Sequence, residues 1–183
     1  MSINQASTLF ADLNCPFCYA LEVRLDNCGL AEEVEWCGVQ HARHLRTPMA
    51  LNADPYAAEV AAEVVTLGRI APEVPIKAPA SKPNTAAAIA AIATAVVADA
   101  PAAAALRERL LQAFWLDGAD LSDPAVLDGL GAPVPDPAGN ALAQAWDRRW
   151  QEVATFAVPT LVVADRGVLT GLVDDDSLRR AFG

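Results

Sequence analysis

Two cysteines, Cys15 and Cys18, enclose Pro16 and Phe17. A Cys-x-x-Cys pair has three common uses: a dithiol that cycles with its disulfide, half of a metal site, or a buried apolar pair. The surrounding residues favour the first. Leu9-Phe10-Ala11 is an apolar run long enough for a buried strand, and Asp12-Leu13-Asn14 breaks it. Helical spacing begins at Cys15, with Tyr19, Val23 and Asn27 on one face and Leu21, Leu25 and Cys28 beside it. The pair therefore falls where a strand ends and a helix begins. Unpaired backbone N–H groups at a helix N-terminus stabilise a thiolate, so this is a favourable place for a reactive cysteine. Pro16 suits a first helical turn, where its missing N–H costs nothing. His41 and His44 lie downstream as possible zinc partners, but the gap to them is about twice the usual ~12–15 residues and no second thiol pair follows. Metal ligation is not expected.

The elements that must hold this motif come next in the chain. Cys28-Gly29-Leu30 reads as a helix stop, and Glu33 to Val39 alternates polar and apolar residues as a strand does. Strand, helix and strand in about thirty residues form a right-handed parallel crossover. Cys28 and Cys37 are expected as small buried hydrophobes rather than a second redox couple. His41 and His44, just after the strand, read more readily as a solvated loop than as substrate contacts. From 45 to 153 strand patterns vanish. Asp54-Pro55 opens a helix with Ala57, Val60, Ala61, Val64, Val65 and Gly68 on one face, and repeated prolines make Ala71 to Lys82 a loop. Asn84-Thr85 caps an alanine-rich helix with a narrow stripe of Ile89, Ile92 and Val96. Helices follow from Pro101 to Trp115, after Ser122-Asp123-Pro124, and from about Asn140 to Val153. Strands return at Val158-Pro159-Thr160-Leu161 and Val168-Leu169-Thr170, joined by a turn at Asp165-Arg166-Gly167. A helix from Asp174 to Phe182 closes the chain.

Bulk properties narrow the field. The chain has 183 residues, enough for a real core without disulfide staples, and a net charge of −10 that argues against nucleic acid and anionic membranes as partners. No apolar run approaches the ~18 residues of a membrane span. The first residues carry neither a basic region nor an apolar core of a signal peptide, so a cytoplasmic location is expected. In that compartment a Cys-x-x-Cys is catalytic or metal-binding more often than structural.

With these pieces assembled, the chain resembles the DsbA-like branch of the thioredoxin superfamily, in particular its FrnE-type and 2-hydroxychromene-2-carboxylate isomerase-like members. The residues that carry the likeness are Asp12-x-x-Cys15-Pro16-x-Cys18-Tyr19 and Val158-Pro159-Thr160, with weaker matches at Lys82-Pro83-Asn84-Thr85 and Phe114 to Leu127. The resemblance implies an α/β fold: a thioredoxin-like βαβ…ββα sheet at 1–44 and 154–183, interrupted by an all-helical subdomain at 45–153. It also implies a catalytic Cys15, a resolving Cys18, and a cis Pro159 packed on the dithiol. Isomerase and kappa-class transferase relatives carry serine at the first cysteine position, so two retained thiols favour redox work. Periplasmic DsbA proteins carry histidine where this chain has Phe17, and Cys-Pro-Phe-Cys is as similar to glutaredoxins.

The expected activity is thiol–disulfide exchange through a mixed disulfide at an exposed Cys15, resolved by a buried Cys18. Pro16, Phe17, Val158 and Pro159 would contact an extended peptide or glutathione, the segment at Pro159 by strand addition. No cofactor is expected, and glutathione is a candidate co-substrate. The expected partner is glutathione or a protein carrying a thiol or disulfide. Tyr19 and Trp115 either line the groove or belong to the core. Asp12 is either a buried proton acceptor for Cys18 or a turn residue. Phe17 brings no charge, which leaves the helix N-terminus and nearby backbone donors to acidify Cys15. A glutathione-dependent isomerase or transferase, and a redox-inert binding module, are the alternatives.

Overall fold

The computed structural model describes residues 6–49 and 55–183. Its centre is a four-stranded sheet in the order β2-β1-β3-β4. Strand β1 (Ser7–Ala11) leads into helix α1 (Pro16–Asn27), and a single 3-10 turn then leads to β2 (Val34–Gly38), parallel to β1 with Leu9 opposite Trp36. Both strands point their C-terminal ends to one edge, the usual place for a site in such a sheet. β3 (Thr160–Val163) pairs antiparallel with β1, and β4 (Gly167–Thr170) antiparallel with β3. Helix α7 (Asp175–Phe182) ends the chain, capped by the Asp174 carboxylate, which accepts from the Ser177 amide.

β1 is buried at every residue because strands flank it on both sides. Its polar members are satisfied: Arg149 donates to Thr8 Oγ1 at 3.1 Å and the Ala164 amide to Ser7 Oγ at 3.2 Å. On α1 the buried positions are Pro16, Cys18, Tyr19, Ala20, Leu21, Arg24 and Leu25, whereas Val23 is half-buried and Asn27 exposed. The face read through Val23 and Asn27 was therefore rotated. Arg24 is buried because Glu73 and the carbonyls of Ile70 and Val173 surround its guanidinium at 2.9–3.0 Å. Gly29 (φ 71°) ends α1 in the left-handed region, as a helix-stopping glycine does.

Among the described residues, five helices lie between β2 and β3: α2 (Pro55–Ile70), α3 (Ala86–Ala98), α4 (Ala100–Asp117), α5 (Pro124–Gly129) and α6 (Pro137–Val153). Asp54, expected to open α2, lies outside the described residues. The buried residues of α2 are Val60 and Leu67; Val65 and Gly68 face solvent, contrary to the face read from spacing. α3 is buried all round from Ala88 to Ala93 rather than along a narrow stripe, because α4 and α6 both pack on it. At Gly139 a side chain has no room, since a Cβ would stand 2.0 Å from Thr94 Oγ1. α6 begins three residues before its expected start, capped by Asp136 with Pro137 behind it. Trp146 of α6 meets Trp36 of β2 edge-on, ring centroids 5.8 Å apart, and so joins helices to sheet. No described helix is long and apolar enough to cross a membrane.

Candidate active site

The site forms where β1 hands over to α1. Cys15 is the N-cap of α1 and Pro16 its first residue, so the helix opens at the pair. The Cys15 carbonyl accepts from the amides of Cys18 and Tyr19 at 3.1 and 3.2 Å, and the Cys15 amide donates to the Asp12 carbonyl at 3.2 Å. Both thiols are free. Cys15 is 6% exposed and Cys18 fully buried, so the expected exposed Cys15 is a correction: only a small part of its surface reaches solvent. Neighbouring segments roof the helix N-terminus. Burial strengthens every interaction at the sulfur, since little water is present to screen it.

The two thiols are driven apart in acidity. Cys15 lies below the usual thiol range because the Cys18 thiol donates to it. The amides of Cys18 and Phe17 and the charge of His41 act in the same sense, against the opposing effect of burial. Cys18 lies well above that range, chiefly through burial and then through its bond to Cys15. The Asp12 amide donates to Cys18 Sγ at 3.5 Å. Cys15 is thus the more acidic of the two sulfurs and Cys18 the less acidic.

Across the site, Cys15 in its protonated form donates to the Val158 carbonyl at 3.8 Å. The Val158–Pro159 peptide is cis, as is Thr47–Pro48. Pro16 and Pro159 are buried, while Phe17 and Val158 are half-buried and retain open surface. β3 starts only after Pro159. Before it, Phe156 is 70% exposed with left-handed φ 52°.

For Tyr19 and Trp115 the core reading holds. Their rings stack 6.1 Å apart; Trp115, fully buried, donates to the Leu13 carbonyl at 3.0 Å and Tyr19 to the Pro75 carbonyl at 3.2 Å. Asn14, next to Cys15, donates to the Pro83 carbonyl at 2.9 Å. Of the other cysteines, Cys37 is fully buried and Cys28 half-buried. Burial, then Glu35, pushes the Cys37 thiol far above its ordinary range.

His41 stays in an exposed loop, as read, but that loop is tied to the site. The His41 Nδ1 stands 2.8 Å from Asp12 Oδ2, and its amide donates to the same oxygen at 2.9 Å. Asp12 is accordingly more than a turn residue, and its carboxylate turns toward His41 while its amide faces Cys18. Thr85, expected as a cap, instead donates its hydroxyl to Asp12 Oδ1 at 2.6 Å, and Asn84 Oδ1 takes the Ala86 amide at the start of α3. Lys82 is also buried, between Glu59 at 2.6 Å and Glu63 at 2.8 Å. One signal could have found His41: in a parallel β1–β2 pair, the residues after β2 must emerge beside those after β1. His44 pairs with Tyr56 instead, ring centroids 5.4 Å apart, so of the two histidines it is His41 that is bonded to Asp12. Among the described residues no group of three or more His, Cys, Asp or Glu could hold a metal ion.

A dithiol opening a helix, set against a proline-led strand on this mixed sheet, defines an α/β protein of thioredoxin-like fold with a helical insertion. The chain belongs to the DSBA-like thioredoxin domain family, whose model matches residues 8–183. Solved structures show the same fold at low identity. A probable DsbA oxidoreductase from Streptomyces coelicolor is 15% identical, with a TM-score of 0.70 over 97% of this chain and 89% of that one. The cytosolic disulfide reductase DsbM from Pseudomonas aeruginosa, in a structure with glutathione, is 18% identical, with a TM-score of 0.62 over 95% of both chains. A 2-hydroxychromene-2-carboxylate isomerase is 21% identical, with a TM-score of 0.65 over 95% of this chain and 91% of that one. No curated protein matches the chain in sequence.

Proposed function

We propose that the protein is a thiol–disulfide oxidoreductase that works through Cys15 and Cys18. One observation carries this reading: adjacent thiols with opposed acidities, the acidic one facing the Val158 carbonyl. The Cys15 thiolate attacks one sulfur of a substrate disulfide, forms a mixed disulfide and expels a substrate thiolate. Cys18 then loses its proton and attacks Cys15 Sγ, releasing the second substrate thiolate. Two electrons pass to substrate and the Cys15–Cys18 disulfide remains. A thiol reductant restores the dithiol by the same steps in reverse, and glutathione is the proposed one, in keeping with the glutathione present in the DsbM structure. Pro16, Phe17, Val158 and Pro159 are the proposed substrate contacts, with the half-buried Phe17 and Val158 offering surface beside Cys15. The proposed compartment is the cytoplasm.

Insulin reduction by the purified protein with glutathione and glutathione reductase tests the reading. Turnover should vanish in Cys15→Ser, and Cys18→Ala should accumulate a mixed disulfide on Cys15. Glutathione conjugation or isomerisation that survives Cys18→Ala, with no insulin reduction by the wild type, would overturn it in favour of a transferase or isomerase.

A further inference from the structure

We propose that His41, clamped by Asp12, is a positioning residue that supplies the positive charge facing the Cys15 thiolate, a charge that Phe17 cannot bring. The proposal rests on the reading of Cys15 as the exchanging thiol and adds a residue from outside the Cys-x-x-Cys segment.

The geometry centres on Asp12. Its carbonyl accepts from the Cys15 amide, its amide donates to Cys18 Sγ, and its carboxylate takes both the amide and Nδ1 of His41. One residue thus grips the dithiol with its backbone and the imidazole with its side chain. The Asp12 side chain is fully buried, whereas that of His41 is 28% exposed. A carboxylate without water needs a cation at hydrogen-bond distance. Lys82, the buried cation from the loop before α3, is taken up by Glu59 and Glu63, and Arg43 pairs with Asp147. That leaves His41.

The electrostatics agree with the placement. Burial lowers the His41 pKa and Lys82 repels it, but the hydrogen bond and charge of Asp12, joined by Cys15, hold it above its ordinary value. The charged groups that act on His41 are Asp12 from the end of β1, which bonds it, and at longer range Cys15 from α1 and Lys82. Because the coupling is reciprocal, a thiolate on Cys15 favours the proton on His41, and that proton favours the thiolate. When the thiolate is consumed in a disulfide, His41 holds its proton less tightly. Reduction of the couple then takes up part of a proton at His41.

The test is the pH dependence of iodoacetamide alkylation at Cys15 in the reduced protein, followed by mass spectrometry of the Cys15 peptide. His41→Gln keeps the size and removes the charge, while His41→Lys keeps a charge. The expected result for His41→Gln is a rate at pH 6 lowered about tenfold, with little change at pH 9, where the thiolate forms without help. His41→Lys should retain most of the pH 6 rate. Melting curves confirm that each variant is folded, and a merely structural role would not confine the loss to the acid side. A profile unmoved in His41→Gln, or lost equally in His41→Lys, overturns the proposal. Insulin reduction by the wild type separates the two claims. Without turnover the oxidoreductase reading falls, whereas turnover with an unmoved profile removes only the role of His41.

Discussion

Replacing Asp12 with alanine asks how much the buried carboxylate contributes to holding the dithiol between the two loops that enclose it. Three donors converge there, Thr85 Oγ1 at 2.6 Å, the His41 amide at 2.9 Å and His41 Nδ1 at 2.8 Å. Thr85 is fully buried. Its deserted hydroxyl would find no water, at a cost of about 1–3 kcal/mol. His41 reaches solvent, so its N–H groups can rehydrate and add roughly 1 kcal/mol or less. The loss should be about 1–4 kcal/mol, or roughly 2–15 °C in Tm for a chain of this size. Asp12→Asn should behave differently. The His41 amide can only donate and must keep the oxygen, which turns the new NH2 toward Thr85, whose hydroxyl can rotate to accept it. The contacts then survive without the charge, at about 1–2 kcal/mol. Urea unfolding at pH 7, read by tryptophan fluorescence, measures both variants. If Asp12→Ala unfolds at the wild-type urea concentration, or if asparagine costs as much as alanine, the carboxylate is not the tie described here.

Further outcomes are expected. Because His41 has a raised pKa in the fold, its pairing with Asp12 stabilises fully below the unfolded value of ~6.5 and is lost as pH rises through the folded one. The stability gap between wild type and His41→Gln should therefore shrink on going from pH 5.5 to pH 8.5, and a widening gap would reverse the sign of the argument. In reduced protein, iodoacetamide should modify Cys15 before the fully buried Cys18 and Cys37, as peptide mapping over time would reveal; simultaneous labelling contradicts the burial. Gly139→Ala should destabilise by about 1–3 kcal/mol or more, since the new methyl meets Thr94 across the α3–α6 contact. A stabilised variant, as helix propensity alone predicts, would mean that the helices separate freely. Trp115→Phe should cost about 1–3 kcal/mol by stranding the Leu13 carbonyl, and an unchanged urea midpoint would show that bond to be dispensable.

Much of the fold was legible because local chemistry and global placement agree. The break at Asp12-Leu13-Asn14, Pro16 in a first turn and Gly29 past a helix end each have one comfortable conformation, and the structure uses it. The α3 stripe failed because alanine carries little periodic signal and leaves the helix to be buried from several sides. The late start given to α6 missed Asp136-Pro137, the same cap-and-proline pair that marks α5 at Asp123-Pro124. At the site, the dithiol and the proline strand were readable from spacing, but His41 and Thr85 were not. Their roles depend on Asp12, 29 and 73 residues away in sequence, and no local pattern reports a bond of that span. Lys82 was hidden likewise, since its burial is tolerable only with Glu59 and Glu63 beside it.

The grip on the dithiol segment has a consequence for how this protein can change over generations. Asn14 holds the carbonyl of Pro83 and Tyr19 that of Pro75, while Trp115 holds the carbonyl of Leu13. Every residue type carries a carbonyl, so these contacts read the path of the loop and ignore its letters. Between Ala71 and Pro83, exposed positions such as Lys77, Ala78 and Ala80 are free to drift. The prolines restrict the backbone to a few courses, and substitutions that preserve the course leave Cys15 where it is. Diversity can accumulate along this loop while Cys15 and Cys18 keep their places beneath it.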